Sequence, residues 1–181
     1  ERLIFDEILS TFLINSKIRK TIKKFKKEKK IFDNDFSNNI QKRLNYELTN
    51  DQTNALNEIN KDLKSEEKMF RLLQGDVGSG KTIVALISCL NVVNSGYQVA
   101  FMAPTEILAY QHYKLAQSLI KDKMKIGFLT SKTDYSERKK IINDLETSKL
   151  DILFGTHSVF QEKINYKKLG LVVIDEQHKF G

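Results

Sequence analysis

Gly75-Asp76-Val77-Gly78-Ser79-Gly80-Lys81-Thr82 fits the phosphate-loop pattern G-x-x-x-x-G-K-[ST] and follows the apolar run Phe70-Arg71-Leu72-Leu73. The pattern has a physical origin. Backbone N–H groups can wrap a triphosphate tail only where glycines let the chain come close. Residues 75–82 are therefore the nucleotide-binding candidates. Lys81 is placed to reach the outer phosphates and Thr82 to hold Mg²⁺, while a helix over 83–93 aims its positive end at the anion. An ordinary glycine-rich turn before a helix is the bland alternative, and the strand–loop–helix context weighs against it.

Reading outward, apolar runs at 69–73, 98–102, 125–129, 152–154 and 171–174 alternate with helical stretches at 82–93, 106–120 and 136–145. Strands alternating with helices predict an α/β fold, a parallel sheet covered on both faces. Ligands in such sheets sit at the carboxyl ends of the strands. The runs ending at Gly75 and Asp175 would then open on one edge. Thr49 or Asn50 is a cap for a helix over 51–63. Residues 1–43 read as helical, with Phe5, Ile8, Leu9, Phe12, Ile18, Ile22 and Phe25 at helical spacing. A break near 33–35 precedes a short helix ending near Arg43.

The run Leu171-Val172-Val173-Ile174 ends in Asp175-Glu176. Asp175 would hold Mg²⁺ through its hydration shell, since Mg²⁺ keeps most of its waters. Glu176 would orient and polarise the water that attacks the γ-phosphorus. Lys81, Asp175 and Glu176 are thus the catalytic candidates, and Thr82 and Asp175 the metal ligands. Gln177-His178 follow. Zinc at His178 is rejected because His112 and His157, the only other histidines, lack paired ligand spacing. His178 instead reads as a relay of the γ-phosphate state to another surface by hydrogen bonding.

Composition bounds the rest. The formal net charge is +7, and nine Lys and Arg residues against one Glu between Lys17 and Lys30 leave the remainder near neutral. That block is either a solvated face or a nucleic-acid contact. Cys89, the single cysteine, sits among Leu86, Ile87 and Leu90 and reads as core filler in a reducing compartment. No apolar run approaches the roughly 18 residues that a membrane span needs. The absence of an initial Met and the stop after Phe180-Gly181 read as a piece of a longer chain.

Asp175-Glu176-Gln177-His178 resembles the DExH box of superfamily 2 helicases. The stretches 71–82, 102–112, 155–157 and 169–181 resemble the RecG family within it, and Arg2-Leu3-Ile4-Phe5-Asp6-Glu7 resembles the connector before that family's motor. The resemblance covers essentially the whole chain. It implies a RecA-like P-loop NTPase lobe at 46–181 behind an N-terminal helical extension at 1–45. The implied activity is an ATP-dependent helicase that remodels stalled forks and Holliday junctions during repair. It implies Mg²⁺ as cofactor, branched double-stranded DNA as partner and single-stranded-DNA-binding protein as a candidate partner. It further implies a monomer in the bacterial cytoplasm, at the nucleoid and not at a membrane. Leu48-Thr49 and Gln52 resemble the adenine-reading Q motif, whose amide can both donate and accept, a match to ATP. Tyr46 would stack near the base. Pro104-Thr105-Glu106 and Gly155-Thr156-His157 correspond to loops that touch the sugar-phosphate backbone, with Thr105 and Thr156 also fit to be helix caps. Gln177 and His178 would couple the two sites.

Two departures stand out. Leu129-Thr130-Ser131-Lys132 replaces the family's usual Leu-Thr-Gly-Ser, and Lys179 replaces an Arg. The family's wedge domain and second lobe, with its arginine finger, have no counterpart here. Loss of such a finger lowers turnover by roughly 10³–10⁵, so these residues alone are expected to hold ATP·Mg²⁺ weakly and hydrolyse it poorly. The related transcription-repair coupling motor usually has Asp-Glu-Glu-His at the box, so Gln177 and Met102-Ala103-Pro104-Thr105-Glu106 favour RecG. A nucleotide-gated DNA-binding module is the alternative of a different class. A small-molecule kinase would need an acceptor lid that the sequence does not offer.

Overall fold

Val99, Phe101, Ile152 and Phe154 point to one side of a sheet while Met102, Leu129 and Leu153 point to the other, the period of two expected of strands buried on both faces. The computed structural model describes residues 16, 17, 21, 25–32, 34–120, 124–161 and 164–176. Its helices are α1 (Asn34–Gln41), α2 (Asn50–Lys64), α3 (Lys81–Asn94), α4 (Glu106–Leu119) and α5 (Tyr135–Glu146), with a 3₁₀ turn at His157–Phe160. The strands are β1 (Gln98–Met102), β2 (Ile126–Leu129), β3 (Ile152–Gly155) and β4 (Leu169–Ile174), ordered β2-β3-β1-β4 and all parallel. Parallel neighbours require crossovers, and α4 and α5 supply them.

On one face α2 and α3 pack with Ala116 and Leu119 of α4. On the other, Ile141 and Leu145 of α5 pack with Val159 and Ile164. Helix α3 is buried nearly all round, through Leu86, Ile87, Cys89, Leu90 and Val92. Cys89 is fully buried, which pushes its thiol pKa up and makes it packing material.

Register fixes the functional edge. Leu129 pairs with Gly155, Gly155 with Met102, and Met102 with Ile174, so all four strands end in one row. The loops that follow therefore open side by side. Gly155 is needed in that row, because a Cβ there would sit 2.1 Å from the Leu129 carbonyl oxygen and 2.8 Å from Val159.

Two expectations are corrected. Residues 69–73 form no strand: they join no ladder among the described residues. Side chains hold this segment instead. Met69 and Leu73 pack on the core, and Arg71 donates to Asp62 at 2.9 and 2.8 Å and to Glu58 at 2.5 Å on α2. The basic block is also not one helix, since 25–32 are irregular. Tertiary partners override the helical spacing there. Lys26 bridges Glu67, the Lys27 and Lys30 amides donate to Glu66 and Leu63, and Lys27 Nζ reaches the Leu63 and Ser65 carbonyls at 2.8 and 2.5 Å.

Candidate functional site

The phosphate loop runs from Gly75 into α3 and is largely exposed. Gly78 (φ 82°) and Gly80 (φ 78°) both lie in the left-handed region, which a side chain would strain. Gly80 caps α3 without a side-chain bond, so the first N–H groups of that helix stay directed at the loop. Lys81 folds back over it, donating to the Gly75 and Asp76 carbonyls at 2.7 and 2.8 Å.

Gln52 ties this loop to α2. Its side-chain oxygen accepts from the Thr49 amide (2.9 Å), its backbone N–H donates to Thr49 Oγ1 (3.3 Å), and its amide nitrogen donates to the Ser79 carbonyl (2.8 Å). The first two bonds form a capping box. The third spans to the phosphate loop, and a Cβ on Gly80 would lie 2.4 Å from the Gln52 amide nitrogen. One N–H and one lone pair of the amide remain for a base edge. Tyr46, upstream, is exposed.

Asp175 and Glu176 leave β4 in the same row. The Asp175 amide donates to the Met102 carbonyl at 2.9 Å. The Asp175 carboxylate meets His112 Nε2 at 2.7 Å. That bond, aided by the Glu176 N–H and the positive charge of Lys81, holds the acid below its ordinary range against the opposing effect of burial. Lys81 thus acts on Asp175 through its field while its own bonds go to the loop. Glu176 sits at φ 50°, an uncommon conformation for a residue with a side chain. A single carboxylate and a hydroxyl suit phosphate-bound Mg²⁺, which takes one or two protein ligands and keeps its waters, and do not suit a dedicated cage. Among the described residues no cluster of three or more metal-type ligands exists. Gln177 and His178 lie outside the described residues.

The candidate DNA loops come next along the row. Thr105 caps α4, its side chain accepting from the Leu108 amide at 3.2 Å. Glu106 turns to the neighbouring loop, where Ser131 Oγ donates to it at 3.2 Å and Lys132 Nζ lies 3.2 Å away. Lys132 accordingly holds the Glu106 pKa down. Gly155 is buried beneath, Thr156 is half-buried and His157 is exposed, while Ser158 anchors the turn to the Leu129 carbonyl at 2.8 Å. Pro104 lies beside Thr105 at the same edge. The sequence reading missed His112 and the Glu106–Lys132 bridge. His112 had a signal: it shares the buried stripe of Ala109, Ala116 and Leu119, where a lone polar side chain needs a partner.

Similarity to known proteins follows the same residues. The DEAD/DEAH box helicase family matches residues 49–181. The ATP-dependent DNA helicase RecG of Aquifex aeolicus is 44% identical over 182 residues, which take in 100% of this chain and 23% of that protein. The chloroplastic/mitochondrial RecG homologue of Arabidopsis thaliana is 41% identical over 203 residues, 100% of this chain and 21% of its own. A RecG structure bound to a three-way DNA junction superposes with a TM-score of 0.87 at 42% identity, covering 99% of this chain and 25% of that one. The UvsW helicase of bacteriophage T4 shares the fold, with a TM-score of 0.57 at 18% identity. The chain therefore spans about a quarter of the length of the RecG proteins it matches.

Proposed function

This chain belongs to the DEAD/DEAH box helicases, and from that premise we propose that it carries the first, ATP-binding lobe of a RecG-type motor. Residues 1–45 form the connector and residues 46–181 the lobe. The whole protein is an ATP-dependent double-stranded DNA translocase that remodels stalled forks and other branched junctions in the bacterial cytoplasm, at the nucleoid. Single-stranded-DNA-binding protein is a fitting partner there, and the motor acts as a monomer. No described helix is long and apolar enough to cross a membrane.

The observation that carries this reading is the loop itself: Gly78 and Gly80 hold left-handed φ values of 82° and 78°, and Lys81, at the start of α3, folds back over the loop onto the Gly75 and Asp76 carbonyls at 2.7 and 2.8 Å. An ATP tail at the loop gives Lys81 a better partner than the two carbonyls it now holds, because a phosphate carries charge and a carbonyl only a dipole. Residues 75–80 supply backbone donors, Gln52 keeps the loop in place and its spare amide sites meet the adenine edge. Thr82 and Asp175 would hold Mg²⁺, which neutralises charge on the β- and γ-phosphates when bound. Glu176 accepts a proton from the attacking water and orients it. On the same edge, Pro104, Thr105, Glu106, Gly155, Thr156 and His157 form or support the DNA-backbone contacts, and Gln177 and His178 couple them to nucleotide state.

The test uses the full-length protein. E176Q should keep ATP binding while DNA-stimulated turnover drops by at least about 10²-fold. Strand displacement at wild-type rates by E176Q would favour a nucleotide-gated DNA-binding module in which hydrolysis is incidental.

A further inference from the structure

Resting on the reading above, we propose that His112 is a positioning residue for the magnesium acid: from two turns inside α4 it fixes the Asp175 carboxylate. The geometry is specific. His112 is 7% exposed, and its Nε2 lies 2.7 Å from Asp175 Oδ2. An ionised carboxylate can only accept, so Nε2 carries the hydrogen and donates it. The ring itself cannot drift, because it packs at 5.0 Å centroid distance against Phe101 of β1, a residue buried in the sheet. Asp175 is held from a second side by its own amide, which donates to the Met102 carbonyl at 2.9 Å. Backbone and side chain of the acid are therefore clamped to the same neighbouring strand and the helix that follows it.

That clamp matters because a carboxylate that meets its metal through water has no direct bond to orient it. A hydrogen bond to one oxygen fixes the carboxylate plane and leaves acceptor capacity for metal-bound water. The source of the clamp is also informative. His112 stands seven residues after Thr105, roughly 10 Å along the helix at 1.5 Å per residue. Thr105 caps that helix at the candidate DNA edge. One helix thus starts at the candidate DNA loop and touches the candidate metal acid at its second turn.

The full-length protein with H112L and H112Q decides the matter. Leu fills the space and removes the donor; Gln keeps an N–H donor at comparable reach. The readout is binding of a fluorescent ATP analogue, titrated with Mg²⁺ and repeated in EDTA. H112L should need about 10- to 100-fold more Mg²⁺ for half-maximal tight binding, the usual cost of removing a partner of a metal ligand. Binding in EDTA should stay within about threefold of wild type, and H112Q should recover most of the Mg²⁺ response. Wild-type Mg²⁺ dependence in H112L overturns the proposal. So does equal damage in H112L and H112Q, or loss of binding in EDTA, since both mark a purely packing role. Failure of the wild-type protein itself to bind the analogue would instead overturn the motor-lobe reading.

Discussion

At Gln52 one side chain serves the start of α2 and the phosphate loop together, which makes its removal diagnostic. T49A and Q52A each break the capping box and should each cost about 1 kcal/mol of stability. Only Q52A also frees the Ser79 carbonyl. Q52A should therefore raise the apparent Kd for ATP several-fold in full-length protein, and T49A should leave it near wild type. Calorimetric melting and nucleotide titration of the two variants separate the roles. Asp175 gives a second prediction at this scale. His112 depresses its pKa, so its stabilising contribution is present above the unfolded value of about 4 and fades as pH falls through the folded one. Urea midpoints taken from pH 5 down to pH 2 should decline in wild type more steeply than in D175N, which has no proton to gain.

Among the elements, α2 shows how much packing the sequence concealed. Its carboxyl end is closed by Lys27, whose Nζ donates to the Leu63 and Ser65 carbonyls. Cations at that end interact well with the helix dipole. Lys30, close by, is buried with its Nζ 3.4 Å from the Tyr97 ring centroid, and burial lowers its pKa. Part of the basic block thus holds 25–32 to α2 and the residues after it, whereas Lys26 and Lys29 stay at the surface beside Glu66. K27M should cost about 1 kcal/mol, a fall of roughly 2–4 °C in Tm at this size. K29M, which removes only an exposed ion pair, should cost a few tenths at most. Equal Tm values for the two variants would assign Lys27 to the solvated face.

Legibility followed locality. The helices over 81–94 and 106–119 and the strand over 98–102 stand within a residue of the pattern reading, because periodicity and caps are written in neighbouring residues. The phosphate loop was readable for the same reason. The lack of strand pairing at 69–73 was not, since pairing depends on what lies alongside, and Arg71 with Asp62 and Glu58 is a contact between segments. His112 and Asp175 are 63 residues apart, and only the sheet register joins them.

At the scale of the whole molecule, the common row of strand ends sets the candidate metal acid Asp175 and the candidate DNA loops on one edge, and charge is distributed along it. Lys132 is 83% exposed and pairs with Glu106, an acid on an edge proposed to meet phosphates. An unpaired carboxylate there would repel DNA, so Lys132, already the counter-charge to Glu106, would also act as a cation toward the backbone if this edge meets DNA. The two effects separate in a mutant cycle. K132A should weaken binding of forked DNA at every sequence and reduce the salt slope by about 1, with an added loss from the exposed Glu106 charge. The pair K132A with E106Q should recover that added loss but keep the reduced slope. Fluorescence anisotropy at four or more salt concentrations reads both quantities. A slope identical to wild type in K132A would remove Lys132 from the DNA edge and leave it as a plain partner of Glu106.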